Sequence, residues 1–272
     1  MSVKNFHIVS ARDLPDLWFQ AVNDIFEKGR RFIIDKGSYA GQTRLEYDRF
    51  FGYVKDPSYG SGTSEILPHI PASVGIPDPV DFNHLYGGEG YDRSYIEYLM
   101  TSRKEPGESY TYGERLTKAP IDKLISSFGG KTGILDERIL QEPDGKIIFE
   151  EDGKKFYNQI EWAIDTYKKF GHRNNQMTLQ IAEPSDMGLK DPPCLRHIDT
   201  RIQDDELSFH VYFRSWDLWG GLPENLAAIQ FLKEYMAGEI GVKDGDMIVD
   251  SKGLHLYGYA EKLAKLRCLK SE

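Results

Sequence analysis

The stretch from Leu207 to Ile240 reads LSFHVYFRSWDLWGGLPENLAAIQFLKEYMAGEI, and its two halves follow different periods. Leu207, Phe209, Val211 and Phe213 alternate with Ser208, His210, Tyr212 and Arg214, the period of two expected of a strand with one apolar and one polar face. Leu226, Ile229, Leu232, Met236 and Ile240 then recur at helical steps, which predicts a long helix buried along one face. Gly220-Gly221-Leu222-Pro223 between them marks a tight loop, and the helix N-terminus after it favours anions.

The same reading extends in both directions. Leu195 to Ile202, Met247 to Val249 and Leu254 to Tyr257 read as strands, and Ala260 to Leu269 as a last helix. Upstream, Ile160, Ala163, Ile164, Tyr167 and Phe170 share one helical side, with Gly171 in stop position. Lys146 to Phe156 signals a hairpin around Asp152-Gly153. A short helix is predicted from Ser94 to Ser102, and the spacing of Leu14, Leu17, Trp18, Val22, Ile25 and Phe26 makes the segment Leu14 to Ile34 helical. Residues 55–92 carry Pro57, Pro68, Pro71, Pro77 and Pro79 among glycines and read as irregular loop, either a surface excursion or a lid. Strands and helices mix without regular β-α-β alternation, so the expectation is an α+β fold, a mixed β-sheet with a long buried helix. No internal repeat, low-complexity tract or boundary stands out, and residues 1–272 are read as a single domain.

Composition narrows the class. With 272 residues, 40% hydrophobic and 28% charged, the chain has an ordinary globular balance, which excludes a mainly disordered, collagen-like or disulfide-framework protein. Two cysteines, Cys194 and Cys268, are too few for a cysteine-based zinc site and fit a reducing compartment. There is no run of eighteen apolar residues, and the N-terminus lacks a signal-peptide pattern, so a cytoplasmic protein is expected. A formal net charge of -9 disfavours nucleic acid and anionic membrane as partners. A small anion held by a few arginines remains compatible with it.

Three clusters carry candidate chemistry. In Asp191-Pro192-Pro193-Cys194 two prolines fix the backbone ahead of a thiol at a strand entrance. A lone cysteine is ordinarily a small buried hydrophobe, and a nucleophilic one needs a neighbouring cation. Arg214, twenty residues on, is placed to meet it if the two strands form a hairpin. Arg214 and Ser215 together offer a guanidinium fork and a hydroxyl, a suitable pair for phosphate. Asn225, polar at the start of an apolar helix, is either a cap or a reader of an amide-like edge, since it donates and accepts at once.

From Pro192 to Tyr257 the chain resembles the thymidylate synthase family. The motifs are Pro192-Pro193-Cys194, Arg214-Ser215-Trp216-Asp217, Gly221-Leu222-Pro223-Glu224-Asn225 and His255-Leu256-Tyr257, in order and over about a quarter of the chain. Tyr95-Ile96-Glu97-Tyr98-Leu99 is similar to the helix carrying the family's catalytic glutamate, and Tyr110-Thr111-Tyr112-Gly113 to its tyrosine-glycine segment. The resemblance implies methylation of dUMP at C5 to dTMP, with 5,10-methylenetetrahydrofolate as co-substrate, no metal, a homodimer and a covalent adduct between Cys194 and C6. It implies that Arg214 holds the phosphate and lowers the thiol pKa, and that Ser215 adds a phosphate hydrogen bond. Asn225 would match O4 and N3–H of uracil, and His255 and Tyr257 the 3′-hydroxyl. Asp217 would accept from the pterin, Gly221 would allow close approach, and Glu97 with Tyr112 would manage proton transfer.

The chain also departs from the family pattern. The arginine pair that the family supplies across a dimer is replaced by His172-Arg173-Asn174-Asn175-Gln176, leaving Arg173 as the candidate. The phosphate-loop arginine has no clear counterpart; Gly60-Ser61-Gly62-Thr63 offers backbone amides and Arg44 or Arg49 the charge. The apolar closing C-terminus is not evident in Leu269-Lys270-Ser271-Glu272. Relatives that use the same core as pyrimidine nucleotide hydroxymethylases let water capture the adduct, so a hydroxymethylase acting on dUMP, dCMP or CMP is the alternative activity. A nucleotide-binding protein without turnover and a cysteine hydrolase using His197 or His255 are further alternatives. The hydrolase leaves the Arg-Ser and Asn motifs unused.

Overall fold

The computed structural model describes residues 6–35, 39–58, 81–122 and 145–270. Its main layer is a six-stranded mixed sheet in the order β1 (Phe6–Ala11), β4 (Arg49–Val54), β12 (Lys243–Ser251), β10 (Glu206–Phe213), β9 (Leu195–Gln203) and β8 (Thr178–Gln180). β1 with β4 and β10 with β12 run parallel, and the remaining neighbours are antiparallel. The alternation read over 207–213 is met: Leu207, Phe209, Val211 and Phe213 are buried on one face.

That face is covered by α1 (Leu14–Lys28), α5 (Gln159–Phe170) and α6 (Gly221–Ile240). α6 lies against β10, β12, α1 and α5. Besides its apolar stripe it buries Ala227, Ala228, Gln230 and Lys233, so more than one side of the helix faces protein. The Lys233 ammonium is satisfied there by the carbonyls of Gly245 and Asp246 and stands 3.3 Å from the Asp244 carboxylate. On α1, Trp18 is fully buried and its indole Nε1 donates to Leu218 O at 2.8 Å, tying the first helix to the segment that follows Asp217. Burying each Leu or Ile of this layer contributes roughly 1.5–3 kcal/mol.

A second, four-stranded sheet runs β11 (Trp216–Asp217), β13 (Leu254–Tyr257), β3 (Thr43–Glu46), β2 (Arg30–Ile33). It corrects the helical reading of 14–34. The helix stops at Lys28, and Gly29 turns extended there, where any side chain would meet the Ile25 carbonyl at 2.5 Å. Arg30 to Ile33 then pair with β3. The third sheet is β5 (Ala119–Pro120), β7 (Lys154–Tyr157), β6 (Ile148–Glu151). Asp152 (φ 52°) and Gly153 (φ 71°) make its hairpin turn, both in the left-handed region that such a two-residue turn requires.

The described residues also include the short helices α2 (Phe82–Tyr86), α3 (Tyr95–Met100), α4 (Tyr112–Thr117) and α7 (Glu261–Arg267). α2, capped by Asp81, interrupts the segment read as irregular over 55–92; residues 59–80, including Gly60-Ser61-Gly62-Thr63, lie outside the described residues. The helix read over 260–269 is shorter than expected, with a 3-10 turn at Gly258–Ala260 leading into α7.

Candidate active site

The site grows from the β9–β10 hairpin. Its antiparallel register pairs Leu195 with Phe213, and one step further Arg214 N donates to Cys194 O at 2.8 Å. The hairpin thus brings together the cysteine and arginine that the spacing singled out. Arg214 Nε donates to Pro193 O at 3.0 Å, and Nη2 to Pro192 O and, at 3.3 Å, to the Asp191 carboxylate. The guanidinium therefore braces the two-proline turn that presents the thiol.

Cys194 is half-buried. Burial pushes its thiol above the ordinary value, and the cations Arg214 and Arg196 offset this only in part, with Asp191 adding to the rise. The expected lowering by Arg214 is present but outweighed by desolvation, so the resting group is the thiol.

Two further arginines stand around this turn, and the sequence reading did not single them out. Arg196 Nη1 donates to Pro193 O at 3.1 Å and to Asp186 Oδ2 at 3.2 Å. Asp186, 1% exposed, also takes a two-pronged bond from Arg115 at 2.6 and 2.9 Å. Arg115–Asp186–Arg196 joins α4 to the entrance of β9. The signal available in sequence was only the nearness of Arg196 to Cys194 and of Arg115 to Tyr112.

Tyr112 is buried, and its hydroxyl accepts from Leu195 N at 3.3 Å, directly beside Cys194. Burial, followed by the thiolate charge of Cys194, raises its pKa well above 10. The glycine after it is required by close approach: a side chain on Gly113 would sit 2.0 Å from Thr101 O at the end of α3. Glu97 is placed differently. Its carboxylate accepts from Ser94 N at 3.3 Å in a capping box, while Ser94 Oγ accepts from Glu97 N at 2.9 Å. It faces Arg103 at 3.6 Å, is 44% exposed, and makes no hydrogen bond to Tyr112 or Cys194 among the described residues.

Asn225 follows the first turn of α6 and is fixed from two sides. Trp216 Nε1 donates to its Oδ1 at 2.8 Å, and its Nδ2 donates to the Tyr95 hydroxyl at 2.6 Å. Asp217 folds back onto the glycine turn, accepting from Trp219 N at 3.0 Å and from the N–H groups of Gly220 and Gly221. Burial raises its carboxyl, and those N–H groups partly counter the rise. A side chain on Gly221 would come within 3.2 Å of the Asp217 Cβ. Ser215, half-buried, lies between Arg214 and Trp216.

β13 supplies the last pair. His255 is 3% exposed and its Nδ1 bonds Gly253 O at 2.8 Å, so Nδ1 carries the proton and Nε2, buried without a partner among the described residues, is an acceptor. Burial holds its pKa down to about 4, with the Arg44 charge lowering it further and the Gly253 bond opposing. β11 pairs with β13 so that Asp217 faces His255, and Tyr257 packs against His255, Tyr39 and Tyr259. Arg44 pairs with Tyr257 across β3–β13 and forms an ion pair with Glu46 at 2.6 Å.

Arg173 is not part of this cluster. It is exposed at the far end of the hairpin beside Arg201, Gln203 and Asp205, and the nine residues of β9 put it roughly 30 Å from Cys194 at about 3.3 Å per residue. Among the described residues no group of three or more His, Cys, Asp or Glu is placed to hold a metal ion, and no helix is long and apolar enough to cross a membrane.

A thiol at a hairpin mouth, a carboxamide near a helix start and a buried histidine on a second sheet are thus gathered by one α+β fold. Residues 101–270 match the family model described as thymidylate synthase, and the chain belongs to that family. A relative from Methanococcoides burtonii, named "Putative thymidylate synthase", is 25% identical over 260 residues, covering 95% of this chain and 94% of that one. One of the same name from Methanothermobacter marburgensis is 24% identical over 258 residues, covering 94% and 96%. The solved structure of thermostable thymidylate synthase A from Bacillus subtilis matches with a TM-score of 0.59 and 13% identity, over 96% of this chain and 85% of that one, so the fold is shared.

Proposed function

We propose that the protein is a methyltransferase, a thymidylate synthase that converts dUMP to dTMP with 5,10-methylenetetrahydrofolate. The observation that carries this reading is the placement of Cys194 against Arg214 at the hairpin mouth, with the Tyr112 hydroxyl on the next residue's N–H. Cys194, once deprotonated, gives an electron pair to C6 of the pyrimidine, and the C5–C6 π pair moves towards O4. The sulfur leaves again as thiolate when the product forms. The folate supplies the one-carbon unit and a hydride, and leaves as dihydrofolate.

The remaining residues have defined tasks. Arg214 keeps Nη1, which has no hydrogen bond among the described residues, for the phosphate, and Ser215, the next residue in the chain, supplies a hydroxyl. The free Nε2 of neutral His255 suits a sugar hydroxyl, and Tyr257 stands beside it. Asn225 retains one N–H and one lone pair for O4 and N3–H. The folate fits on one count seen here: the Asp217 carboxylate is held by backbone N–H groups at a turn where Gly221 presents no side chain, so it is rigid and approachable for a pterin N–H. Glu97 serves proton transfer at O4 and C5 if its carboxylate leaves the Ser94 cap, which costs about 1 kcal/mol against a general acid–base gain of ~10²–10⁴-fold.

A second reading, the nucleotide hydroxymethylase, is favoured by one observation. Lys270 lies over Phe26 and reaches Glu27 on α1, so the last described residues are engaged with that helix. Incubation with 5,10-methylenetetrahydrofolate and dUMP, with dCMP, UMP and CMP in parallel, separates the readings by product mass. A methyl product from dUMP supports the synthase, and a hydroxymethyl product supports the second reading. With no product from any of the four but nucleotide still bound, both fail and a binding protein remains. Cys194→Ser is expected to abolish turnover while leaving nucleotide binding nearly intact.

The reading also includes one domain, a cytoplasmic location shared with these metabolites, and a homodimer. The outer sheet face, with Phe6 and Ile8 exposed and Phe51, Tyr53, Tyr212 and Ile248 half-buried, suits a second copy. In such a dimer Arg173 would serve the partner's phosphate.

A further inference from the structure

The hydrogen-bond chain from Trp216 through Asn225 to Tyr95 has a direction. An indole N–H only donates, so the oxygen of the Asn225 amide must be the atom facing it; turned over, the amide would set N–H against N–H. The indole itself is held. Trp216 is 2% exposed, its ring is stacked on Phe213 at 4.0 Å and 7°, and its backbone N donates to Gly253 O at 3.0 Å. Tyr95 imposes no such direction, because a phenol hydroxyl accepts from an amide N–H or donates to an amide oxygen equally well.

A primary carboxamide has two N–H donors and two oxygen lone pairs, and this chain uses one of each. What remains is one donor and one acceptor in a fixed order. A uracil ring anchored at C6 presents O4 as acceptor and N3–H as donor, whereas cytosine in the same place presents an amino donor and an N3 acceptor. A carboxamide free to turn over serves either edge, and one that is pinned serves only one. Resting on the reading that Asn225 faces the pyrimidine, we propose that Trp216 is the positioning residue for base selection: its indole pins the Asn225 amide in the orientation that accepts uracil and rejects cytosine.

The test measures equilibrium binding of dUMP and dCMP to the full chain and to three variants. Trp216→Phe keeps an aromatic ring on Phe213 but removes the donor. Trp216→His keeps a ring nitrogen that can accept as well as donate, and it supplies the same comparison if the phenylalanine variant does not fold. Tyr95→Phe removes the partner that imposes no direction. The wild type is expected to prefer dUMP. Either Trp216 variant is expected to narrow the dUMP-to-dCMP ratio by about tenfold or more, chiefly through a gain for dCMP, and Tyr95→Phe to leave the ratio unchanged.

A merely structural Trp216 would weaken both nucleotides in parallel, and that result overturns the proposal. So does an equal narrowing in Tyr95→Phe. A wild type that binds neither nucleotide sinks the underlying reading instead, and is distinguishable because it appears before any variant is made.

Discussion

His255 is buried as a neutral imidazole, and this makes a measurable demand on stability in acid. Its folded pKa is about 4 against an ordinary 6.5, mainly through burial. Above pH 6.5 both folded and unfolded chains hold it neutral and it contributes no pH dependence. Below 6.5 the unfolded chain takes up a proton that the folded chain refuses, so stability falls steadily until the pH reaches about 4 and then levels. At about 1.36 kcal/mol per pH unit, the loss over that window is about 3 kcal/mol. His255→Asn is the matched variant, since an amide N–H there can still donate to Gly253 O but does not titrate. Urea unfolding of both proteins from pH 7 to pH 4 gives the comparison. The wild type should lose about 3 kcal/mol more than the variant, all of it below pH 6.5. Parallel stability curves would refute the assignment of a neutral, desolvated imidazole, and with it the availability of Nε2 as a hydroxyl acceptor.

Further outcomes follow from the same geometry. Asp186→Asn leaves Arg115 and Arg196 without their shared carboxylate and is expected to cost roughly 3 kcal/mol in denaturant unfolding. Its pKa is held below the ordinary carboxylate value by hydrogen bonds from Arg115 and the Glu183 N–H, against burial, so this stabilisation is complete above about pH 4 and disappears as the pH falls through the lowered value. Gly113→Ala puts a methyl group 2.0 Å from Thr101 O, and a loss of about 1–3 kcal/mol with a displaced Tyr112 is expected by thermal unfolding and nucleotide turnover. Iodoacetamide labelling of Cys194 in the ligand-free protein should rise only at pH values above those of an ordinary thiol, because burial outweighs Arg214 and Arg196; rapid labelling at pH 7 would show that the cations win.

Much of the architecture was legible because it is encoded within short windows. The alternation of 207–213, the helical steps of 226–240, Gly171 as a stop and Asp152-Gly153 as a turn each depend on neighbours a few residues away, and each appears where it was read. The reading failed where tertiary pairing overrode a local pattern. Arg30 to Ile33 left the expected helix because β3 offered an edge. At Phe82 to Tyr86 the missed signal was local, the Asp81 cap that starts a helix inside a segment full of turn formers. Strands β1 and β4 left no separate signal that could be told from coil, since each is paired to a strand distant in sequence.

The candidate site divides in the same way. Sequence by itself singled out the candidate residues, and it placed Cys194 to meet Arg214 if their strands form a hairpin, because an antiparallel hairpin of equal arms returns the chain to its starting level. It read Leu254 to Tyr257 as a strand, but the pairing that sets Asp217 opposite His255 came only with the structure. Only the tertiary structure decided how those groups are held. Arg173 stands at the far end of the hairpin, and Asp186 gathers two arginines from separate elements. The orientation of the Asn225 amide depends on an indole nine residues away and a phenol 130 residues away. A hydrogen bond is satisfied only within about 3 Å and in one direction. Residue type can announce a donor or an acceptor, but the crossing of strands and helices settles which atoms it reaches.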